Sequence, residues 1–546
     1  MVNPIVIVNV SQTLAPTPNN LQKTGALISQ GGTTLQEGTY SLLTEEADLD
    51  AILTAPLALT SVAWSSGLGG SVTGTTAVAH GIPVNTFFKV VIADTVPTGY
   101  NGTFNAIATG ASTFLYYLET DPGAQTTAGT YNPYGELIAM ANTFFAQRAT
   151  QGVYVLELGA GTPANGVTAL EEFIEDNGQF FYSYLVPTAW AADSTFQALA
   201  ADYEAPTAMT YFFTTIDVPS IDAYESITSK SLNVMVPAPF YEPHVTVGVD
   251  AAAWATGVVT LTTDANHGIV PGELFTVASI NPTGYNGTFV AVSGTTGTAL
   301  KYLLADDPGA YVSGGDVSVQ VHESAGPPAT EFSHASDFNV TLNYAPSNTN
   351  KVTPLAFSYL FSVTPFPTPG NGPLLTNMLS NNLNYVGLGN EAGVTNDILR
   401  NGRMMDGKPF NYWYSVDWMH INGRLNLANC IVNGSNNPIN PLYYNQDGIN
   451  RLQDVLARTA ESAVTFGLAL GRVYQVGLPA AQFAEELNKG TYAGNIVINA
   501  IPFTDYAVAN PSHYSLGIYN GLSLTYTPLR GFEQITVNIN VIDFVA

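Results

Sequence analysis

Three stretches of the chain have residue types and spacings that could carry chemistry. Gly159-Ala160-Gly161-Thr162-Pro163-Ala164 fits G-x-G-x-x-A, the turn that lets a dinucleotide pyrophosphate approach a helix N-terminus. A dinucleotide fold also wants an acidic residue at the end of the next strand to hold the ribose. Here that strand ends Leu185-Val186-Pro187-Thr188, so the stretch reads as a plain strand-to-helix loop. Gly402 to Lys408 fits G-x-x-x-x-G-K, but Pro409 stands where a Ser or Thr would hold Mg²⁺, and no convincing strand precedes it. His322-Glu323 with His334 does not make H-E-x-x-H. The single cysteine, Cys430, lies in the mostly apolar stretch 425–432 and reads as packing. No catalytic residue, metal ligand set or cofactor is expected.

The elements around these stretches divide the chain. Pro-Thr-Gly-Tyr-Asn-Gly-Thr-Phe occurs at 97–104 and again at 282–289. His-Gly-Ile precedes each copy, at His80 and His267, and Asp-Pro-Gly-Ala follows, at Asp121 and Asp307. Leu115-Tyr116-Tyr117-Leu118 aligns with Leu300-Lys301-Tyr302-Leu303, and a shared upstream Trp (Trp64, Trp254) has unequal spacing. One His per copy cannot make a multi-ligand metal site. Short apolar runs alternating with turn residues predict a small all-β sandwich or barrel, used twice. Asn-Gly is placed as a two-residue hairpin turn, and the octamer's Tyr and Phe as core packing.

Around these modules, helix-spaced apolar residues alternate with apolar runs, which predicts an α/β layer with a partly parallel sheet. Leu137, Met140, Ala141, Phe144 and Phe145 mark one helix. Val167, Leu170, Phe173 and Ile174 mark another, with Glu171, Glu172, Glu175 and Asp176 on its wet side. Residues 194–204 suggest a third. Strands are expected at 153–156, 180–186, 209–214 and 234–236. The acidic segment 40–55 suggests a short helix. Farther on, Asp447 is placed as the cap of a long helix over 448–470, followed by a second helix over 480–487.

The predicted organisation is a multidomain α+β or α/β chain. A strand arm spans 1–30, and an α/β body spans 31–59 and 132–243. Inserted β modules span 60–131 and 244–318, and a linking segment of the body spans 319–370. An α/β domain covers 371–530, and a second strand arm covers 531–546. The first arm carries Ile5, Val6, Ile7 and Val8. In the second, Ile535, Val537, Ile539 and Val541 alternate with polar residues before the phase flips at Ile542 and Phe544. Such strands either pair within the molecule or are donated to neighbours through backbone hydrogen bonds.

Charge excludes one class of partner. Of 42 acidic and 15 basic residues, 32 and 6 fall in residues 1–399, against 10 and 9 in residues 400–546. Nucleic-acid binding needs phosphate-neutralising basic surface, and no basic run exists. No apolar run reaches the length of a membrane span. Residues 1–4 show no basic lead into a signal peptide, so a cytoplasmic, soluble origin is expected, without disulfides.

Taken in order, the chain resembles the tail sheath protein of contractile bacteriophages. The resemblance is carried by 136–145 leading into 152–158, by 380–546, and by strand arms at both ends. The β modules are similar to Ig-like accessory domains of phage virion proteins. The resemblance implies a helical homopolymer of stacked rings around an inner tail tube protein, bounded by baseplate and tail terminator proteins. Strands 5–10 and 534–544 would join neighbouring C-terminal domains. The sheath would contract to drive the tube through the host envelope without nucleotide, as part of the virion after assembly in the host cytoplasm. The alternative is another virion structural, decoration or receptor-binding protein whose β modules bind a surface ligand.

Overall fold

The computed structural model describes residues 21–532 apart from 66–70, 83–86, 119, 148–150, 239–243, 265–266, 268, 270–273, 321–326, 369–370 and 390–395. The residues expected to form the strands of both arms, Ile5, Val6, Ile7, Val8, Ile535, Val537, Ile539, Val541, Ile542 and Phe544, lie outside the described residues, whereas 21–30 of the expected first arm are described and contribute Gly25–Ser29 to the interior of the body sheet.

The chain is a mixed α/β protein with several sheets. The largest sheet in the body has six strands, ordered Leu232–Met235, Tyr211–Thr215, Ser183–Leu185, Gly25–Ser29, Val153–Glu157 and Tyr40–Leu43. The first five are parallel, and Tyr40–Leu43 closes one edge antiparallel. A parallel sheet needs cover on both faces, so its strands read as unbroken apolar runs. Gly25–Ser29, Tyr211–Thr215 and Leu232–Met235 are accordingly buried at every residue.

Helices Pro163–Asn177 and Ser194–Asp202 cover one face with Val167, Leu170, Phe173, Phe196 and Leu199. Helices Gly135–Phe145 and His334–Leu342 cover the other with Leu137, Phe144, Phe338 and Leu342. The His334–Leu342 helix falls inside the stretch read as a linking segment.

The second face has a third cover, the 26-residue helix Phe410–Ser435. Its first half buries Phe410, Trp413, Tyr414 and Trp418 in the core that holds Tyr182, Tyr211 and Phe213. Its second half packs antiparallel on Gln446–Thr465, where Asn426 Nδ2 donates to Thr459 Oγ1 at 2.9 Å. The C-terminal domain thus has two long helices where one was expected. The cap of Gln446–Thr465 is Asn445, whose side chain accepts from the Gly448 N–H; Asp447 sits in the first turn. Next to these helices lies a three-stranded sheet ordered Val473–Val476, Ile496–Ala500, Leu522–Thr525. The acidic stretch near residue 45 holds the Tyr40–Leu43 strand and a 3-10 turn, Glu46–Asp48, in place of the expected helix.

The two β modules share one strand order. Leu57–Ser65 to Thr130–Asn132 forms a closed six-stranded barrel. His244–Ala255 to Asp316–Gln320 repeats the order as a six-stranded sheet. The octamer is a 3-10 turn, Thr98–Tyr100 and Thr283–Tyr285, between paired strands. Asn-Gly is not the hairpin turn. Asn101 and Asn286 are extended, and their Oδ1 atoms accept the N–H of Thr95 and Ile280 across the loop.

The buried tyrosine hydroxyls make the same staples in both copies. Tyr100 donates to Gly123 O at 2.8 Å and Tyr285 to Gly309 O at 2.7 Å. Tyr116 donates to Tyr100 O and Tyr302 to Tyr285 O. Tyr116 therefore corresponds to Tyr302, one residue off the expected alignment. Trp64 and Trp254 do correspond, donating to Leu118 O and Leu304 O.

Candidate functional site

In chain order the five parallel strands lie 2-1-3-4-5 across the sheet. Ligands of such sheets bind beyond the carboxyl ends of the strands, where the order reverses. Here that crevice lies between Gly25–Ser29 and Ser183–Leu185. The glycine loop 159–161 opens beside it, after Val153–Glu157 and before Pro163–Asn177.

The crevice is occupied by the chain itself. Glu157, at the end of its strand, is buried and accepts five hydrogen bonds. Oε1 accepts the N–H of Gly31 at 2.6 Å and of Gly159 at 2.8 Å. Oε2 accepts Ser29 Oγ–H at 2.7 Å, Thr33 Oγ1–H at 2.8 Å and the Thr33 N–H at 3.1 Å. Gly31 and Gly159 both have positive φ, +81° and +77°, which turns their N–H groups inward to a common point. This is an anion seat built from three backbone N–H groups and two hydroxyls, and its anion is an intramolecular carboxylate.

Gln30 and Trp190 fill the rest. Trp190 Nε1 donates to Gln30 Oε1 at 2.6 Å, and Gln30 Nε2 donates to Thr162 O at 3.0 Å. A Cβ on Gly166 would collide with both Gln30 and Trp190. The loop that matched a dinucleotide signature therefore positions a carboxylate and a buried indole.

The second glycine loop closes on itself. The N–H of Met404 donates to Lys408 O, that of Gly407 to Met404 O, and that of Lys408 to Asp406 Oδ1. The Lys408 ammonium lies 3.7 Å from Asp406 and over the Trp413 ring. A strand, Asp397–Arg400, does precede this loop, but the N–H groups that would cradle a phosphate are already used. His80 and His267 sit in turns, where each Nδ1 accepts the N–H two residues on, from Ile82 and Ile269.

Sequence reasoning missed a buried polar layer where the Phe410–Ser435 helix meets the body sheet. Asp417 Oδ2 accepts the hydroxyls of Tyr182 at 2.8 Å and Tyr211 at 2.7 Å. Lys230 Nζ lies over the Tyr211 and Trp413 rings and donates to Ala208 O. Burial pushes the Asp417 carboxyl up to about 7, against the opposing pull of its two tyrosine partners and Lys230. His334 Nε2 lies 3.0 Å from Asn233 Oδ1, which also accepts Asn384 Nδ2. Burial lowers His334 to about 3, so it is neutral, and raises Asp337 beside it well above the usual carboxylate range. Asp417, His334 and Asp337 are wholly buried. They can share hydrogen bonds and hold protons, but they face packed protein. A lone Asp in a helix and a His in a polar stretch gave no spacing signal.

Cys430 lies on the Phe410–Ser435 helix and is half-buried. Among the described residues, no three His, Cys, Asp or Glu side chains gather as a metal-binding group. No helix among them is long and apolar enough to cross a membrane. No family model and no curated protein matches this chain.

Proposed function

We propose that this chain is a structural subunit of a contractile phage tail sheath, polymerising around an inner tail tube by strand exchange between neighbours. The observation that carries this reading is the C-terminal sheet. Among the described residues it has three strands, of four or five residues each. Among the described residues, no further strand pairs with Val473–Val476 or Leu522–Thr525 on their outer sides. Soon after the second of these, the chain enters the alternating stretch that holds Ile535, Val537, Ile539 and Val541. Strands this short gain stability from added partners. Main-chain bonds to an incoming strand from another copy supply them. The self-satisfied crevice agrees with a role that needs no nucleotide.

The test compares the full chain with one lacking residues 1–12 and 532–546, by negative-stain electron microscopy. Tubes or rings from the full chain and folded monomers from the trimmed one are expected. Identical monomers from both would sink strand exchange and turn attention to the paired β modules as ligand binders.

A further inference from the structure

Between the antiparallel helices Phe410–Ser435 and Gln446–Thr465 lies an open groove of about 450 Å³. One wall is a stripe of amides, Asn426, Asn429 and Asn433; the other holds Arg451, Arg458 and Ser462. Among the described residues, no acidic and no aromatic one lines it. In a chain with 42 acidic and 15 basic residues, two arginines on one face, two helical turns apart, are a local reversal of sign. Arg451 reaches only uncharged oxygens of the connecting loop, on Asn440 and Pro441. Asp447, Asp454 and Glu461 share the helix, but among the described residues neither arginine forms an ion pair. Guanidinium groups beside amide donors favour carboxylates, which accept forked hydrogen bonds.

The same chain carries a surface of the opposite kind. Glu171, Glu172, Glu175 and Asp176 are all exposed on the Pro163–Asn177 helix and form no ion pair among the described residues. Glu171 with Glu175 and Glu172 with Asp176 are like-charge pairs four apart, which weaken a helix. A cationic partner relieves both. We propose that the groove is a carboxylate-binding docking site, and that its occupant is the acidic face of the Pro163–Asn177 helix in a second copy of this chain. The choice of a second copy rests on the self-assembling reading above.

Sedimentation velocity at low and high salt tests it on the full chain and on variants. Arg458→Glu alters a side chain that makes no hydrogen bond among the described residues, so the fold should survive; thermal melting checks this. Glu172→Lys/Asp176→Lys does the same to the other partner. Each is expected to weaken salt-sensitive association about tenfold, as lost and reversed exposed pairs do. Combining both changes in one chain should restore it. Association unchanged in the single-surface variants, or no recovery in the combined one, overturns the proposal. So does a wild type that stays monomeric at low salt. Failure of the sheath reading shows separately, as the absence of tubes by microscopy while salt-sensitive association persists in the chain lacking residues 1–12 and 532–546.

Discussion

Asp417→Asn should stabilise the protein at neutral pH although it removes a charge that accepts two hydrogen bonds. The carboxyl has a folded-state pKa of about 7, raised chiefly by burial, against 3.8 for an ordinary Asp. Because the folded value is raised, the favourable contribution is complete below pH 3.8, where both states hold the proton. It is lost as pH rises through 7, because folding must then either keep a proton that the unfolded chain has released or bury a charge. About three pH units at 1.36 kcal/mol each give roughly 4 kcal/mol lost between pH 4 and 8. Asparagine keeps an oxygen for the hydroxyls of Tyr182 and Tyr211 and has no proton to lose. His334 works in the opposite sense. Its folded value near 3 costs stability as pH falls below its ordinary value, so the wild-type profile alone mixes the two. The difference between wild type and variant cancels that term. Urea unfolding at pH 4, 5, 6, 7 and 8, followed by tryptophan fluorescence, supplies this difference. The variant should gain on the wild type by several kcal/mol across the series, most steeply between pH 4 and 7. A difference independent of pH would refute the reasoning, because Asp417 would then titrate alike in both states.

Three further outcomes follow from the geometry. Glu157→Gln leaves at least two of five converging donors facing an NH₂ group, and should cost about 3 kcal/mol in chemical denaturation. Tyr100→Phe and Tyr285→Phe each remove one hydrogen bond, to Gly123 O and to Gly309 O, at matching places in the two β modules. Each should cost about 1 kcal/mol, read as faster amide exchange in Gly102–Gly110 for the first and Gly287–Val290 for the second. Gly166→Ala forces Gln30 and Trp190 out of the crevice, and about 1–3 kcal/mol of overpacking strain should appear as a lowered Tm with quenched or shifted Trp190 emission.

What was legible in the sequence was whatever had a period. Leu137, Met140 and Phe144 repeat at helical spacing because one face of their helix meets the sheet, and Val167, Leu170, Phe173 and Ile174 do so for the same reason. The twin octamers were legible as letters, and their Tyr and Phe pack on the module cores as expected, but the role of Asn101 was not. A side chain bridging a loop leaves the same dipeptide as a tight turn does. Helix Phe410–Ser435 was missed because its two halves answer to different surroundings. The first is buried nearly all round, while the second exposes Leu425 and Val432 and turns asparagines to its neighbour. No single stripe runs its length. His334–Leu342 was hidden in another way, burying His, Ser, Asp, Asn and Thr where apolar residues would have signalled a core. The glycine loop at 159 does join a strand to a helix as its letters suggest, yet its partner Glu157 could not be found. Four of its five donors come from Ser29, Gly31 and Thr33, far away in the chain, and only the folded sheet brings them to it.

The Phe410–Ser435 helix has a mechanical consequence. At 1.5 Å per residue it is roughly 39 Å long, and no kink-forming proline interrupts it. One end is clamped by aromatic packing against the body sheet, and the other is the strut on which Gln446–Thr465 rests. Its backbone runs as one continuous helix through Gly423 at mid-length. A torque applied at its C-terminal end is carried along the helix to the body sheet. Compliance must reside instead in the chain segments outside this rod.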